Sequence, residues 1–242
     1  MTKTKAGILV LCLCAAPSMV SAQTMQWTDK GYITINGGFQ AGSSNLDTSA
    51  SFPLYEETAT VSSTQKVSGG GFFDIGGAYR VYGNNILAGV SYTHTSSDAD
   101  VNLTASIPDP AEFDKPRTVT ATQSGAKHSE NQVHLNVIWM LPVAHKLDIG
   151  VSAGPTIFSV KQQTITSLTV TEPGPVVSAP LTEVSKTTVG INFGVDVQYV
   201  ITKMIGVGGL ARYAWGSAEI EGATDKLTVG GFQIGGGLRV RF

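Results

Sequence analysis

The sequence contains segments in which apolar side chains alternate with glycine or polar side chains. The clearest is TTVGINFGVDVQYVI, residues 187–201. Every second residue from Val189 to Ile201 is apolar or aromatic, and the positions between them include Asn192, Asp196 and Gln198. A period of two places successive side chains on opposite faces of a β-strand. The segment therefore predicts a strand with one apolar face and one polar face.

Eight such segments follow one another along the chain. They are residues 31–40, 71–82, 85–94, 131–141, 147–158, 187–201, 205–215 and 230–242. The connections after the second, fourth and sixth segments are short, around residues 83–85, 143–145 and 202–204. Those after the first, third and fifth are long and rich in Ser and Thr, at residues 41–66, 95–127 and 159–186. This alternation predicts an all-β fold, an eight-stranded antiparallel up-and-down transmembrane β-barrel with long extracellular hairpins and short periplasmic turns.

Aromatic residues and composition support a membrane-spanning barrel. Trp and Tyr prefer the membrane interface, and aromatic residues lie on the apolar faces near both ends of the segments. Tyr79, Trp139, Tyr199 and Phe242 are near the short turns, and Phe39, Tyr92, Tyr213, Trp215 and Phe232 are near the long connections. The chain contains 28 glycines and only 14% charged residues, more glycine and less charge than an ordinary soluble domain has.

The first residues predict a secretory signal peptide. Lys3 and Lys5 precede an apolar run, residues 6–16, and small residues end at Ala22. We expect a signal peptide at residues 1–22 and a single barrel domain at residues 23–242. Cys12 and Cys14, the two cysteines of the chain, lie in the predicted signal peptide. The mature fold is therefore expected to be held without disulfides.

The last strand carries a resemblance to a known family. Phe242, Val240, Leu238 and Ile234 share one face of a strand that ends the chain. This resembles the C-terminal signature of bacterial outer-membrane proteins, which the barrel-assembly machinery recognises. The eight-strand layout is similar to the small OmpA/OmpX-like and opacity-type barrels. The resemblance implies a cell outer membrane location, contact with outer-membrane lipid, and an assembly-signal role for these four residues.

The polar faces predict the contents of the barrel lumen. An eight-stranded barrel is only wide enough to be filled by side chains, and buried charges are tolerated when they are paired. We therefore expect an ion-pair network that plugs the lumen. Its predicted members are Asp74, Arg80, Asp148, Asp196, Arg212, Arg239 and Arg241. The polar face also carries His134, Asn136, Asn192 and Gln198.

A plugged lumen favours a structural or surface-interaction role in the cell envelope. The alternative is a narrow channel for small solutes or ions, because inward glycines such as Gly190, Gly194 and Gly208 could leave a wet path beside the arginines. The long loops could bind an extracellular ligand, since protruding strand edges can add partner strands. The net charge of −2 gives no indication of a nucleic-acid partner.

An enzyme is the third class. His94 and Ser96 resemble the His-x-Ser arrangement of outer-membrane lipid A deacylases, and His128 is also expected near the outer rim. The match lies at the third strand instead of near the end of the chain, and no acidic partner can be assigned to it. We therefore expect no catalytic residues, and neither a metal nor a cofactor is predicted.

Overall fold

The computed structural model describes residues 27–165, 169–171, 176–178, 180–220 and 223–242, so the predicted signal peptide lies outside the described residues. These ranges contain twelve β-strands and no α-helix. The strands are β1 (Gly31–Ala41), β2 (Ser43–Leu54), β3 (Glu57–Ser68), β4 (Gly71–Tyr82), β5 (Ile86–Ile107), β6 (Arg117–Ala144), β7 (Leu147–Ile165), β8 (Thr169–Thr171), β9 (Val176–Ser178), β10 (Leu181–Val200), β11 (Ile205–Ala218) and β12 (Leu227–Arg241). In the described part of the chain, no helix is long and apolar enough to cross a membrane.

Eight of the strands close into a ring of antiparallel pairs. Around the ring the order is β1, β4, β5, β6, β7, β10, β11 and β12, and β12 pairs back with β1. The prediction of an all-β antiparallel barrel is confirmed. The count of twelve strands exceeds the eight predicted segments because β2, β3, β8 and β9 lie outside the ring.

Long hairpins continue the ring at one end, which we call the hairpin end; the opposite end is the short-turn end. β5 and β6 remain paired as far as Ile107 and Arg117, and β7 and β10 as far as Ile165 and Leu181. The connection at residues 41–66, predicted only as a long polar loop, is itself largely strand. There β2 and β3 pair across a turn at Tyr55 and Glu56, whose positive φ values of 52° and 64° suit a two-residue hairpin turn.

The two faces of the ring differ as the alternation predicts. Apolar and aromatic side chains such as Phe193, Tyr213 and Leu238 point outward and are about half exposed, where lipid would surround them. Inside, two clusters of buried apolar side chains lie at the two ends of the lumen. The lower cluster, at the short-turn end, consists of Trp27, Tyr32, Ala78, Leu87, Ile138 and Met140. The upper cluster, at the hairpin end, consists of Leu46, Val67, Phe158, Val160, Ala214, Ala218, Ile220, Leu227 and Val229.

Candidate functional site

The lumen between the two clusters is the candidate site, and a buried arginine on β11 lies near its centre. Arg212 reaches across from β11 to Asp74 on β4, with 3.1 Å between Nη1 and Oδ2. Asp74 also accepts hydrogen bonds from Asn36 Nδ2 at 2.7 Å and from the Thr93 hydroxyl at 2.7 Å. Each partner is at least 95% removed from solvent. A buried carboxylate with three donors satisfies the requirement that buried charge be paired and hydrogen-bonded.

Arg239 on β12 forms the second pair of opposite charges. Its Nε and Nη2 donate to the two carboxylate oxygens of Asp196 on β10, at 3.1 and 2.5 Å. This two-pronged arrangement matches the fork of a guanidinium to the two oxygens of a carboxylate. Its Nη1 donates to Asn36 Oδ1 at 2.6 Å, and Asn36 also bonds Asp74. The two pairs are therefore linked into one network through Asn36.

Arg241 holds the short-turn end of the lumen. Its guanidinium donates to Asp148 Oδ2 at 2.6 Å, and its Nε lies 2.9 Å from Asp29 Oδ2. The same guanidinium lies 4.0 Å from the ring centre of Trp27, a cation–π contact. Arg80 differs from the prediction of an ion pair. Its Nη1 donates to the backbone carbonyl of Trp27 at 3.2 Å, and no acidic partner is found for it among the described residues.

A second polar layer, which the sequence analysis missed, lies above these pairs. We call it the amide layer; it consists of Gln40, His128, Glu130, Gln132 and Gln233, all of them buried. Gln132 Nε2 and Gln233 Nε2 both donate to Gln40 Oε1, at 3.0 and 2.8 Å. Gln233 Nε2 also donates to Gln132 Oε1 at 3.0 Å. The neighbouring strands β1 and β12 are thereby connected across the lumen to β6.

Glu130 is the acidic residue of the amide layer, and the contacts of its carboxylate are all with donors or with His128. Gln132 Nε2 and Gln40 Nε2 donate to its Oε2 at 2.7 and 3.2 Å. The backbone N–H of Gly230 donates to it at 3.1 Å. His128 Nε2 lies 3.1 Å from Oε1, while the other ring nitrogen bonds Gln162 Oε1 at 2.7 Å. The His128 ring therefore lies between two side-chain oxygens, one from Glu130 and one from Gln162.

A cavity of about 50 Å³ lies beside the Arg–Asp pairs, near Tyr32, Asp74, Asp196 and Arg212. This volume holds a few water molecules. The side-chain oxygen of Asn136, which lines the cavity, has no hydrogen-bond partner in the structure. The nearby Gln198 side chain is also buried without partners. Water in this cavity would satisfy such groups.

The histidines considered for catalysis do not meet. His94 points outward, and its Nδ1 lies 2.8 Å from Asn131 Oδ1, which also accepts the hydroxyl of Tyr92. His128 points inward to Glu130. His134 contacts the hydroxyls of Thr156 and Thr93 in the lumen. Across the described ranges, no group of three His, Cys, Asp or Glu side chains is placed to hold a metal ion.

The end of the chain closes the ring. Ile234, Leu238, Val240 and Phe242 all point outward, about 40 to 57% exposed. The Phe242 carbonyl accepts the N–H groups of Lys30 and Gly31 at 2.7 and 3.1 Å, and the Phe242 N–H donates to the Gly31 carbonyl at 3.0 Å. The final residue therefore completes the β1–β12 seam. Its role as an assembly signal stays a prediction.

Comparison with known proteins gives a family and several similar folds. The model of a family described as outer membrane protein beta-barrel domain matches residues 8–242. The outer membrane protease OmpT from Escherichia coli is 11% identical, with a TM-score of 0.49 over 92% of this chain and 100% of that one. Neisserial surface protein A is 13% identical, with a TM-score of 0.45 over 88% and 97%. The outer membrane protein OprG from Pseudomonas aeruginosa is 12% identical, with a TM-score of 0.43 over 90% and 99%. The sequence has no match among curated proteins.

Proposed function

We propose that this chain, which belongs to the outer membrane protein β-barrel domain family, is a non-conducting barrel of the outer membrane with a structural and surface-interaction role. The observation that carries this proposal is the sequence of layers that fills the lumen. From the short-turn end these are the lower cluster, the Arg–Asp pairs, the amide layer and the upper cluster. An ion would have to displace buried side chains at each layer.

The layers are held by bonds that cross the barrel. Arg212 on β11 meets Asp74 on β4, and Gln132 on β6 meets Gln40 on β1. Such cross-strand contacts between distant parts of the sequence fix the ring in one register, since each strand contributes to a partner it does not neighbour. A lumen built in this way supports stability of the envelope, and its buried charges are neutralised in place.

The hairpins support the surface-interaction part of the proposal. β2, β3, β5 and β6 form one continuous antiparallel sheet at the hairpin end. β2 is its edge, and beyond Thr48, which forms an isolated bridge to Ala223, no further strand pairs along its free side in the described part of the chain. An open strand edge can add a strand of a partner by backbone hydrogen bonds. We propose an extracellular ligand that contacts these hairpins.

Single-channel recording in a planar bilayer tests the non-conducting lumen. The protein is purified from the outer membrane, and its folded state is first verified by heat-modifiable migration and strand-rich circular dichroism. We expect no discrete openings from folded, inserted protein. A porin recorded under the same conditions is the positive control. Steady openings that appear only with folded protein would overturn the proposal.

A narrow channel for small solutes is the second candidate, and the 50 Å³ cavity with its unpartnered polar side chains is what favours it. If openings are recorded, Arg212 and Arg239 become the residues expected to set ion selectivity. An enzymatic role has less support: His94 contacts Asn131 at the outer surface, and no carboxylate contacts it among the described residues. We propose that the barrel catalyses no reaction at its rim.

A further inference from the structure

On the seam between β1 and β12, the ladder of backbone hydrogen bonds ends before the wall of the barrel does. The two strands pair without interruption from Tyr32 and Arg241 to Ala41 and Phe232. Beyond that point the chain of β1 continues into β2, which pairs with β3 instead. The next contact across the seam is a hydrogen bond of 3.3 Å from the Thr228 N–H to Ser44 Oγ. The backbone ladder is missing between these two points.

Two glycines on β12 produce the gap. Gly230 and Gly231 have φ values of 89° and 139°, a region that favours glycine. The Gly230 N–H donates to Glu130 and the Gly230 carbonyl accepts from Gln40 Nε2 at 3.0 Å. Both peptide groups therefore bond lumen side chains and are not available to β1. The amide layer thus takes the place of β1 as the hydrogen-bond partner of Gly230.

A cavity of about 190 Å³ occupies the gap. On the lumen side it is lined by His128 and Glu130, whose side chains are each 4% exposed. Along the edges it is lined by serines 43, 44 and 68. On the membrane side it is lined by three aromatic residues of the outward face, Tyr213, Trp215 and Phe232. The cavity therefore connects two buried side chains of the amide layer with the surface that faces lipid.

We propose that this cavity binds the polar head of an amphiphile from the surrounding membrane. Aromatic residues at the mouth place it at the level of the membrane interface, where lipid head groups lie. At about 190 Å³ the cavity has room for several water molecules, and therefore for a head group the size of glycerol. The acyl chain would remain outside the wall, against Phe232 and Tyr213.

The lining selects a neutral head group that carries hydroxyls. The donors around Glu130 already satisfy its carboxylate. No Lys or Arg of the described residues lines the cavity, so a charged head would be desolvated without an opposite charge to pair with. Serine hydroxyls both donate and accept hydrogen bonds, and they suit the hydroxyls of a glycerol head. Conduction is not required, because the cavity ends at the amide layer. Binding of a head group in this cavity can therefore be tested independently of whether the lumen conducts ions.

Native mass spectrometry tests the site with a monoacylglycerol as the probe. The protein is titrated with the probe in detergent micelles, and retained molecules are counted after the detergent is released. We expect one molecule per barrel with saturation. In Gly42→Leu we expect at least a tenfold weaker apparent affinity, because a side chain at Gly42 would project toward Gly230 and Gly231 and fill the gap. Unchanged retention by folded Gly42→Leu, or none by the wild-type protein, would overturn the proposal.

Two controls separate this site from general lipid contact. Gly37→Leu adds the same side chain on the outward face of β1, where a Cβ meets no atom within 4 Å, and it should bind the probe like the wild-type protein. Ser44→Val, a milder change at the edge of the gap, should weaken binding severalfold and covers the case in which Gly42→Leu does not fold. A fatty acid methyl ester with the same chain should not be retained. Equal retention of the ester would exclude recognition of the head group.

Discussion

The two halves of the lumen neutralise buried charge in different ways. In the short-turn half, three arginines each meet an aspartate of another strand: Arg212 with Asp74, Arg239 with Asp196, and Arg241 with Asp148. In the hairpin half, one carboxylate meets one histidine and is otherwise surrounded by neutral donors. In an ion pair, the stabilisation of a buried carboxylate depends on one partner side chain. In the amide layer, it is distributed over several neutral donors. Losing one member of a pair should therefore cost more.

The largest effect is expected from Arg212→Ala. The substitution leaves Asp74 buried at 1% exposure and without its positive partner. Breaking a buried pair by removing one partner costs about 3–5 kcal/mol of the free energy of unfolding. Urea unfolding of the barrel in lipid vesicles, followed by tryptophan fluorescence, measures the loss. A change near zero would mean that water enters the lumen and solvates Asp74.

The matched control removes both charges. In the double variant Arg212→Ala with Asp74→Asn, no unpaired charge remains, so the loss should be smaller than in Arg212→Ala alone. With Asp74→Asn measured alone as well, the change in the double variant minus the changes in the two single variants gives the coupling energy of the pair. Coupling close to zero would show that the two side chains are in contact without stabilising each other, and the distinction between the two halves would lose its basis.

The membrane-facing part of the fold could be predicted from the sequence because lipid imposes an apolar requirement on every second residue. Inside that part, the parity that places Val189 and Ile191 outward also places Asn192 and Asp196 inward. The signal disappears beyond the membrane, where outward positions such as Lys127 and Ser129 are polar while the strand continues. This is why the sequence did not show that β6 begins at Arg117. It is also why the β2–β3 hairpin was predicted as a loop.

His128 and Glu130 of the amide layer were missed because they lie beyond the end of a predicted segment. Glu130 and His128 share the inward parity of His134, but they precede the predicted start of the segment at Asn131. Extending that parity by three positions toward the N-terminus would have placed both inside the barrel. The partner of Arg80 could not be predicted in this way, because parity gives the face of a side chain and not its height. The Trp27 backbone reaches Arg80 from a segment outside any strand.

A medium effect is expected from Glu130→Gln, which tests the hairpin half. The glutamine side chain is nearly the same size as that of glutamate. Its NH₂ group would replace a carboxylate oxygen and would face hydrogen-bond donors. His128 would also lose its carboxylate partner. Hydrogen bonds to a charged group contribute about 1.5–3 kcal/mol, and we expect a loss of about 2 kcal/mol, below that of Arg212→Ala. The same urea unfolding assay measures it.

The control for this prediction is Glu183→Gln. Glu183 is paired with Lys161 at 3.1 Å, but both side chains are about half exposed. An exposed pair contributes roughly 0–1 kcal/mol, so this variant should unfold close to the wild-type midpoint. If Glu130→Gln behaved like Glu183→Gln, the amide layer would be hydrated. If it cost more than Arg212→Ala, the hairpin half would be the less tolerant one, contrary to the comparison.

The smallest effect is expected from Lys226→Met, at an ion pair outside the barrel wall. Lys226 Nζ lies 2.7 Å from Glu219 Oε1, and both side chains are about two-thirds exposed. The hydrogen bond from Lys226, together with its charge, lowers the pKa of the Glu219 carboxyl. A carboxyl whose pKa falls on folding stabilises the fold above its unfolded pKa, and this stabilisation is lost as the pH falls through the folded pKa.

Lys226→Met should therefore raise the pKa of Glu219 toward its ordinary value, and a ¹³C NMR titration of the Glu219 carboxyl measures the change. The unfolding midpoint at neutral pH should stay within experimental error of the wild-type value, because solvent and salt screen a fully exposed pair. An unchanged Glu219 pKa would show that the two side chains do not interact in solution. A large loss of stability would contradict the view that ion pairs stabilise this barrel strongly only when they are buried, as the Arg–Asp pairs of the lumen are and the Lys226–Glu219 pair is not.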